Sequence, residues 1–233
     1  MADGGVSIGF DIPCRAVLFD SDGVLVDSKD SGTRAWMRWA MQYGLAPDAV
    51  LDNLHGRRSI DTVSRFLPEP DRAAGAAAID ELEIADAGST QPIPGARELL
   101  RGLPGDWAVI TSATKPLLQA RFAAAELELP EVVVTSADVS AGKPAPDGYL
   151  LAAQRLGVPI VECVVVEDSL NGIEAGRAAG AGSILGIGHD ALESDAETVV
   201  LDLRACSWSG TGLRIDPEYL LKTNQALGPR DTL

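Results

Sequence analysis

The chain has 233 residues, 46% of them hydrophobic, enough for one large domain or two smaller ones around a real core. Its 19 Lys and Arg against 34 Asp and Glu give a formal charge of −15, spread along the sequence with no basic stripe, which argues against nucleic acid and anionic membranes as partners. No apolar run reaches the ~18 residues of a membrane span, positions 1–9 lack a basic start and an apolar signal core, and three cysteines without CxxC spacing beside two histidines speak against zinc, so a cytoplasmic protein is expected.

The first predicted strand, Ala16–Phe19, is a short continuous apolar run that leads into Asp20, Asp22 and Gly23. Ligands of parallel α/β sheets bind beyond the carboxyl ends of such strands, so both acids arrive where a substrate can meet them. Two acids this close repel unless a cation neutralises them or one keeps a proton, and the pair therefore predicts a hard metal such as Mg2+ or a shifted pKa. Taken alone, Asp-x-Asp-Gly is also an ordinary turn sequence. A calcium loop is excluded because its next ligand position falls on Val24.

About 85 residues separate this strand from the next, far more than one crossover helix requires. Residues 29–94 read as helical throughout: Trp36, Trp39, Ala40 and Tyr43 at core spacing, a short segment at 59–66, and an Ala-rich acidic segment at 70–87. Gln91 to Gly95 forms a stiff Pro-rich connector, with a helix starting at Ala96. The predicted organisation is a catalytic core of 1–28 and 95–233 interrupted by a helical lid, 29–94, placed over the carboxylates.

Further strands are predicted at 107–110, 132–134, 164–166 and 183–187, with a weaker one at 199–201, and helices at 115–126, 148–156 and 170–179. Such alternation implies βαβ units and a doubly wound α/β fold with a parallel sheet. Cys163, at the mouth of the Val164–Val166 run, reads as a small core residue. Beyond Cys206 the chain reads as loosely structured, apart from a short helix near 217–222.

Each later strand also ends in a polar group. Thr111-Ser112-Ala113-Thr114 puts hydroxyls before a helix, which suits an anion but equally a helix cap. Lys143 is braced between Gly142 and Pro144, unlike a free surface lysine, and Glu167-Asp168 follows three valines as the first acid pair follows its strand. The order of carboxylate pair, hydroxyl, lysine and carboxylate pair at successive strand ends closely resembles the motif series of the haloacid dehalogenase superfamily of phosphohydrolases, from about Arg15 to Gly188. The resemblance is specific, resting on Asp20 to Ser28, on Gly142-Lys143-Pro144-x-Pro146, and on Glu167-Asp168-Ser169-x-Asn171-Gly172.

The resemblance implies that Asp20 is the nucleophile, forming an aspartyl phosphate, and that Asp22 is the general acid and then the base. It also implies that Ser112, Ala113 and Lys143 hold the phosphoryl group. Mg2+ would be bound by Asp20, Asp168 and the backbone carbonyl of Asp22, with Glu167 acting directly or through water. The substrate is then a small phosphorylated metabolite and the protein a monomer or weak homo-oligomer. Residues 54–62 resemble the lid segment of sugar-phosphate and glycerol-phosphate phosphatases, in which Arg57 or Arg58 reaches the cleft; both also read as surface arginines on a turn, and His55 as a packing residue.

A β-phosphoglucomutase of the same fold is the nearest alternative, but such mutases carry a hinge histidine where this chain has Gly32. Asp22 argues against the superfamily's dehalogenases, which lack it. A phospho-Asp receiver module would also gather acids and a lysine at strand ends. Asp22 and the insertion favour an enzyme over it, and the intact motif set favours one over a silent binding protein.

Overall fold

The computed structural model describes residues 9–52, 54 and 56–224. Strand β1 (Phe10–Pro13) precedes β2 (Ala16–Phe19), and β3 (Val26–Asp27) leads into four helices, α1 (Lys29–Gln42), α2 (Pro47–Leu51), α3 (Ser59–Val63) and α4 (Glu69–Asp86). Strand β4 (Gln91–Pro92) returns the chain to α5 (Ala96–Gly102), β5 (Trp107–Ile110), α6 (Lys115–Ala124), β6 (Val132–Val134), α7 (Asp147–Leu156), β7 (Cys163–Glu167), α8 (Leu170–Ala179), β8 (Ser183–Ile187) and β9 (Thr198–Val200). It ends in β10 (Cys206–Trp208), β11 (Gly212–Ile215) and β12 (Leu220–Thr223).

Among the described residues the main sheet has seven strands, ordered β12-β9-β8-β7-β2-β5-β6, all parallel except β12, which pairs antiparallel with β9. β2 and β7 lie side by side at its centre and are buried along their whole length. Their side chains alternate between two apolar layers: Val17, Phe19, Val164 and Val166 on one face, Ala16, Leu18, Cys163 and Val165 on the other. This double burial is why the strands read as unbroken apolar runs, and it brings Asp20 and Asp168 out at one edge. The parallel core and flanking helices agree with the doubly wound expectation.

Residues 29–94 are not helical throughout. Four helices separated by loops gather around a core of their own that includes Trp36, Trp39, Val50, Val63 and Ile79, and Trp39 Nε1 donates to the Gly75 carbonyl at 2.9 Å. The connector expected as a stiff linker pairs Gln91–Pro92 antiparallel with Val26–Asp27, so entry and exit run together as a two-stranded ribbon.

The tail also differs from the expectation. β10 and β11 form an antiparallel sheet with β1, and β12 joins the main sheet; the helix expected near 217–222 is one 3-10 turn, Pro217–Tyr219. Leu213 and Ile215 are buried while Arg214 between them is exposed, a one-sided strand too short for its alternation to stand out from a loop. No helix of the described residues is long and apolar enough to cross a membrane.

Candidate active site

β2 delivers Asp20 into a buried position, its backbone N–H bonded to the Val166 carbonyl at 2.9 Å, so the two central strands fix it. Lys143 Nζ lies 2.5 Å from both Asp20 Oδ1 and Glu167 Oε1 and is itself buried, so it is not a solvated surface lysine. Glu167 is completely covered. Oε1 also accepts from the Tyr149 hydroxyl at 2.8 Å, and Oε2 takes the backbone N–H groups of Asp168 and Ser169 and the Ser169 hydroxyl. Both of its oxygens are thus engaged by the chain, which makes it first of all an anchor for Lys143.

Two glycines make room for this cluster. A Cβ at Gly172 would stand 1.6 Å from Glu167 Oε1, and one at Gly23, where φ is +85°, would stand 2.0 Å from Asp168 Oδ2. Asp20, Glu167 and Asp168 bring a carboxylate oxygen each within 4.8 Å of one another, an all-oxygen donor set that suits a hard divalent cation. The Asp22 carboxylate stands outside this group, its Oδ1 accepting from Ser28 Oγ at 2.6 Å and paired with Arg121 Nη1 at 3.0 Å. Lys29 Nζ is 3.3 Å from Asp168 and 2.8 Å from Asp190.

Crowding and burial set the electrostatics. Burial, joined by the charges of Glu167, Asp168 and Asp22, pushes the Asp20 carboxyl well above its usual range against the opposing pull of Lys143. Burial and then the Glu167 charge push Asp168 up to about 7. Burial alone would lower the Lys143 ammonium, but Asp20 and Glu167 outweigh it and hold the group above its ordinary value. The three cysteines are buried, free and pushed up to about 11 or 12 by desolvation, which leaves them poor nucleophiles and agrees with Cys163 as a core residue.

A cavity of about 90 Å³ opens between the sheet edge and the insertion, with Asp20, Asp22, Ser112, Arg57, Glu83 and Arg121 in its wall. The hydroxyl stretch is not a cap: Thr114 occupies the N-cap of α6 without a side-chain bond, while Ser112 Oγ donates to the Gly56 carbonyl of the insertion at 2.8 Å. The Ala113 N–H donates to Thr111 Oγ1 at 3.0 Å. The two arginines part company. Arg57 lines the cavity, and its buried Nε has no partner among the described residues. Arg58 turns away, bonding Asp61 and the carbonyls of Val139 and Ser140 beside the Lys143 loop, so it ties the insertion to the core. His55 lies outside the described residues.

Arg121, Glu83 and Lys29 belong to this site and were not singled out from sequence. For Arg121 a signal existed: it shares the buried face of α6 with Leu117, Leu118 and Phe122, where a charge has no reason to be unless it is paired. Its guanidinium links Asp22 to Glu83, whose carboxyl burial pushes up to about 7 despite the arginine.

Residues 14–180 match the family model of the haloacid dehalogenase-like hydrolases. The chain is 45% identical over 175 residues to hexitol phosphatase A of Escherichia coli, covering 72% of this chain and 80% of that protein. It is 33% identical over 189 residues to glycerol-1-phosphate phosphohydrolase 2 of Saccharomyces cerevisiae, covering 74% of each. Among solved structures, CbbY from Rhodobacter sphaeroides in complex with phosphate superposes with a TM-score of 0.71 at 26% identity, covering 82% of this chain and 95% of that one.

Proposed function

The chain belongs to the haloacid dehalogenase-like hydrolases and is a phosphoric monoester hydrolase, and we propose that it hydrolyses a small sugar or polyol phosphate with Mg2+ through an aspartyl phosphate on Asp20. The observation that carries this reading is the buried Asp20 carboxylate bonded to Lys143, beside Asp168, at the wall of a cavity that also presents Asp22 and Ser112.

Asp20 attacks phosphorus, and the ester oxygen leaves with a proton from Asp22. Asp22, now ionised, takes a proton from the water that cleaves the aspartyl phosphate. Lys143 offsets the charge of the phosphoryl oxygens and orients Asp20, while Glu167 fixes the lysine. Mg2+ would be held by Asp20, Asp168 and the backbone carbonyl of Asp22 and would neutralise phosphoryl charge. Residues 29–94 act as a cap over a core of 1–28 and 95–233, with Arg57 facing the substrate and Ser112 joining the phosphate end as the cap seats. Gly32 lines the same cavity without a side chain to activate a sugar hydroxyl, which favours water as acceptor over the mutase alternative.

A panel of hexitol phosphates, 2-deoxyglucose 6-phosphate and glycerol 1-phosphate, assayed for free phosphate with Mg2+, tests this. Phosphate release that a chelator stops and added Mg2+ restores is expected. No release from any ester with Mg2+ present, or full activity after exhaustive chelation, would overturn it.

A further inference from the structure

Arg121 spans two bodies of the chain. Nη1 reaches Asp22 in the loop after β2, and Nη2 donates at 2.8 Å to Glu83 Oε1 on α4, in the helical insertion. Both Arg121 and Glu83 are buried, at 5% and 8% exposure, and the buried Arg121 Nε has no partner among the described residues. For stability alone such a trio is a poor choice, since apolar residues of similar size often serve a core as well or better. Its geometry serves another end. Ser28 Oγ and Arg121 Nη1 both fall on Asp22 Oδ1, so one oxygen is held from two sides while the residue stands in the cavity wall. Gly32 borders the pair, where a Cβ would meet Glu83 Oε1 at 3.6 Å and Arg121 Nη2 at 3.9 Å, ordinary contact distances.

We propose that Arg121 is a positioning residue for Asp22 and that Glu83 holds Arg121 in place, so that Asp22 is set for proton transfer when the insertion is seated on the core. This rests on Asp22 being the acid and base of the phosphatase reaction. In the first half-reaction the P–O ester bond breaks as the Asp20–P bond forms, and the proton on Asp22 goes to the leaving alkoxide. In the second, Asp22 takes a proton from water as the new P–O bond forms and Asp20 is released. A mis-set Asp22 impairs both steps.

The test compares wild type with Arg121→Met, Arg121→Lys and Glu83→Ala on two esters, sorbitol 6-phosphate, whose alkoxide must be protonated, and p-nitrophenyl phosphate, whose leaving group needs no proton. For Arg121→Met and Glu83→Ala, kcat/KM should fall by roughly 10-fold to 100-fold more on the sorbitol ester than on the nitrophenyl ester. A burst of nitrophenol equal to the active sites should appear as aspartyl phosphate breakdown becomes slow. Arg121→Lys, which keeps a cation, should recover part of the ratio and carries the test if Arg121→Met does not fold. Equal losses on both esters without a burst, or no loss at all, would overturn the positioning role while leaving the phosphatase reading intact. A wild type that releases no phosphate from either ester or from any ester of the panel above would instead overturn that reading.

Discussion

Asp20→Asn is expected to lower steady-state turnover by about 10³-fold or more while leaving the fold intact. An amide is a poor nucleophile and a weak ligand for a hard cation, yet it has nearly the shape of the carboxylate. The native carboxyl is already pushed well above its usual range by burial and by Glu167 and Asp168, so replacing it with a neutral group relieves repulsion as well as removing a partner of Lys143. The melting temperature should therefore stay close to that of the wild type while phosphate release disappears. Substantial turnover in a verified Asp20→Asn protein would contradict the nucleophile assignment.

Lys143→Met should harm both stability and catalysis. The lysine is the cation between two buried carboxylates, Asp20 and Glu167, and removing one partner of such a cluster costs about 3–5 kcal/mol because the remaining charges stay buried and uncompensated. The loss should grow with pH. With its folded-state pKa already raised by burial, Asp20 would be pushed further upward without the ammonium, and a carboxyl so raised favours folding below its unfolded value and loses that contribution as pH rises. Denaturant unfolding in metal-free buffer at pH 5 and pH 8 measures both effects, and turnover should fall by at least about 10²-fold. A variant as stable as wild type at pH 8 would show that the lysine does not neutralise the pair.

What could be read from sequence follows from where each side chain gets its orientation. Asp20 and Asp168 were legible because they end β2 and β7, whose burial on both faces leaves an unmistakable apolar run. Lys143 was legible because flanking Gly142 and the prolines fix a loop in a way a solvated lysine does not require. The separate fates of Arg57 and Arg58 were not, since a turn decides which of two adjacent side chains faces the cavity, and Arg58 is captured by Asp61 and by carbonyls far along the chain. β1 and β10–β12 escaped for the opposite reason to β2, which is no longer than β1, β11 or β12: none of them is buried along its whole length, and Leu213, Arg214 and Ile215 alternate over too few residues to stand out. Tyr149 on Glu167 and Arg121 on Asp22 are contacts between distant segments, visible only once the sheet order is known. Arg121 nevertheless advertised itself as the charge on the buried face of α6.

Whether water or a sugar takes the phosphoryl group from Asp20 is tested most directly by incubating the enzyme with β-glucose 1-phosphate, Mg2+ and a trace of glucose 1,6-bisphosphate, and following glucose 6-phosphate and inorganic phosphate separately. With Gly32 offering no acid or base and Asp22 free to activate water, phosphate is expected to accumulate faster than glucose 6-phosphate. Rapid glucose 6-phosphate formation with little phosphate release would contradict the phosphatase and make the protein a mutase.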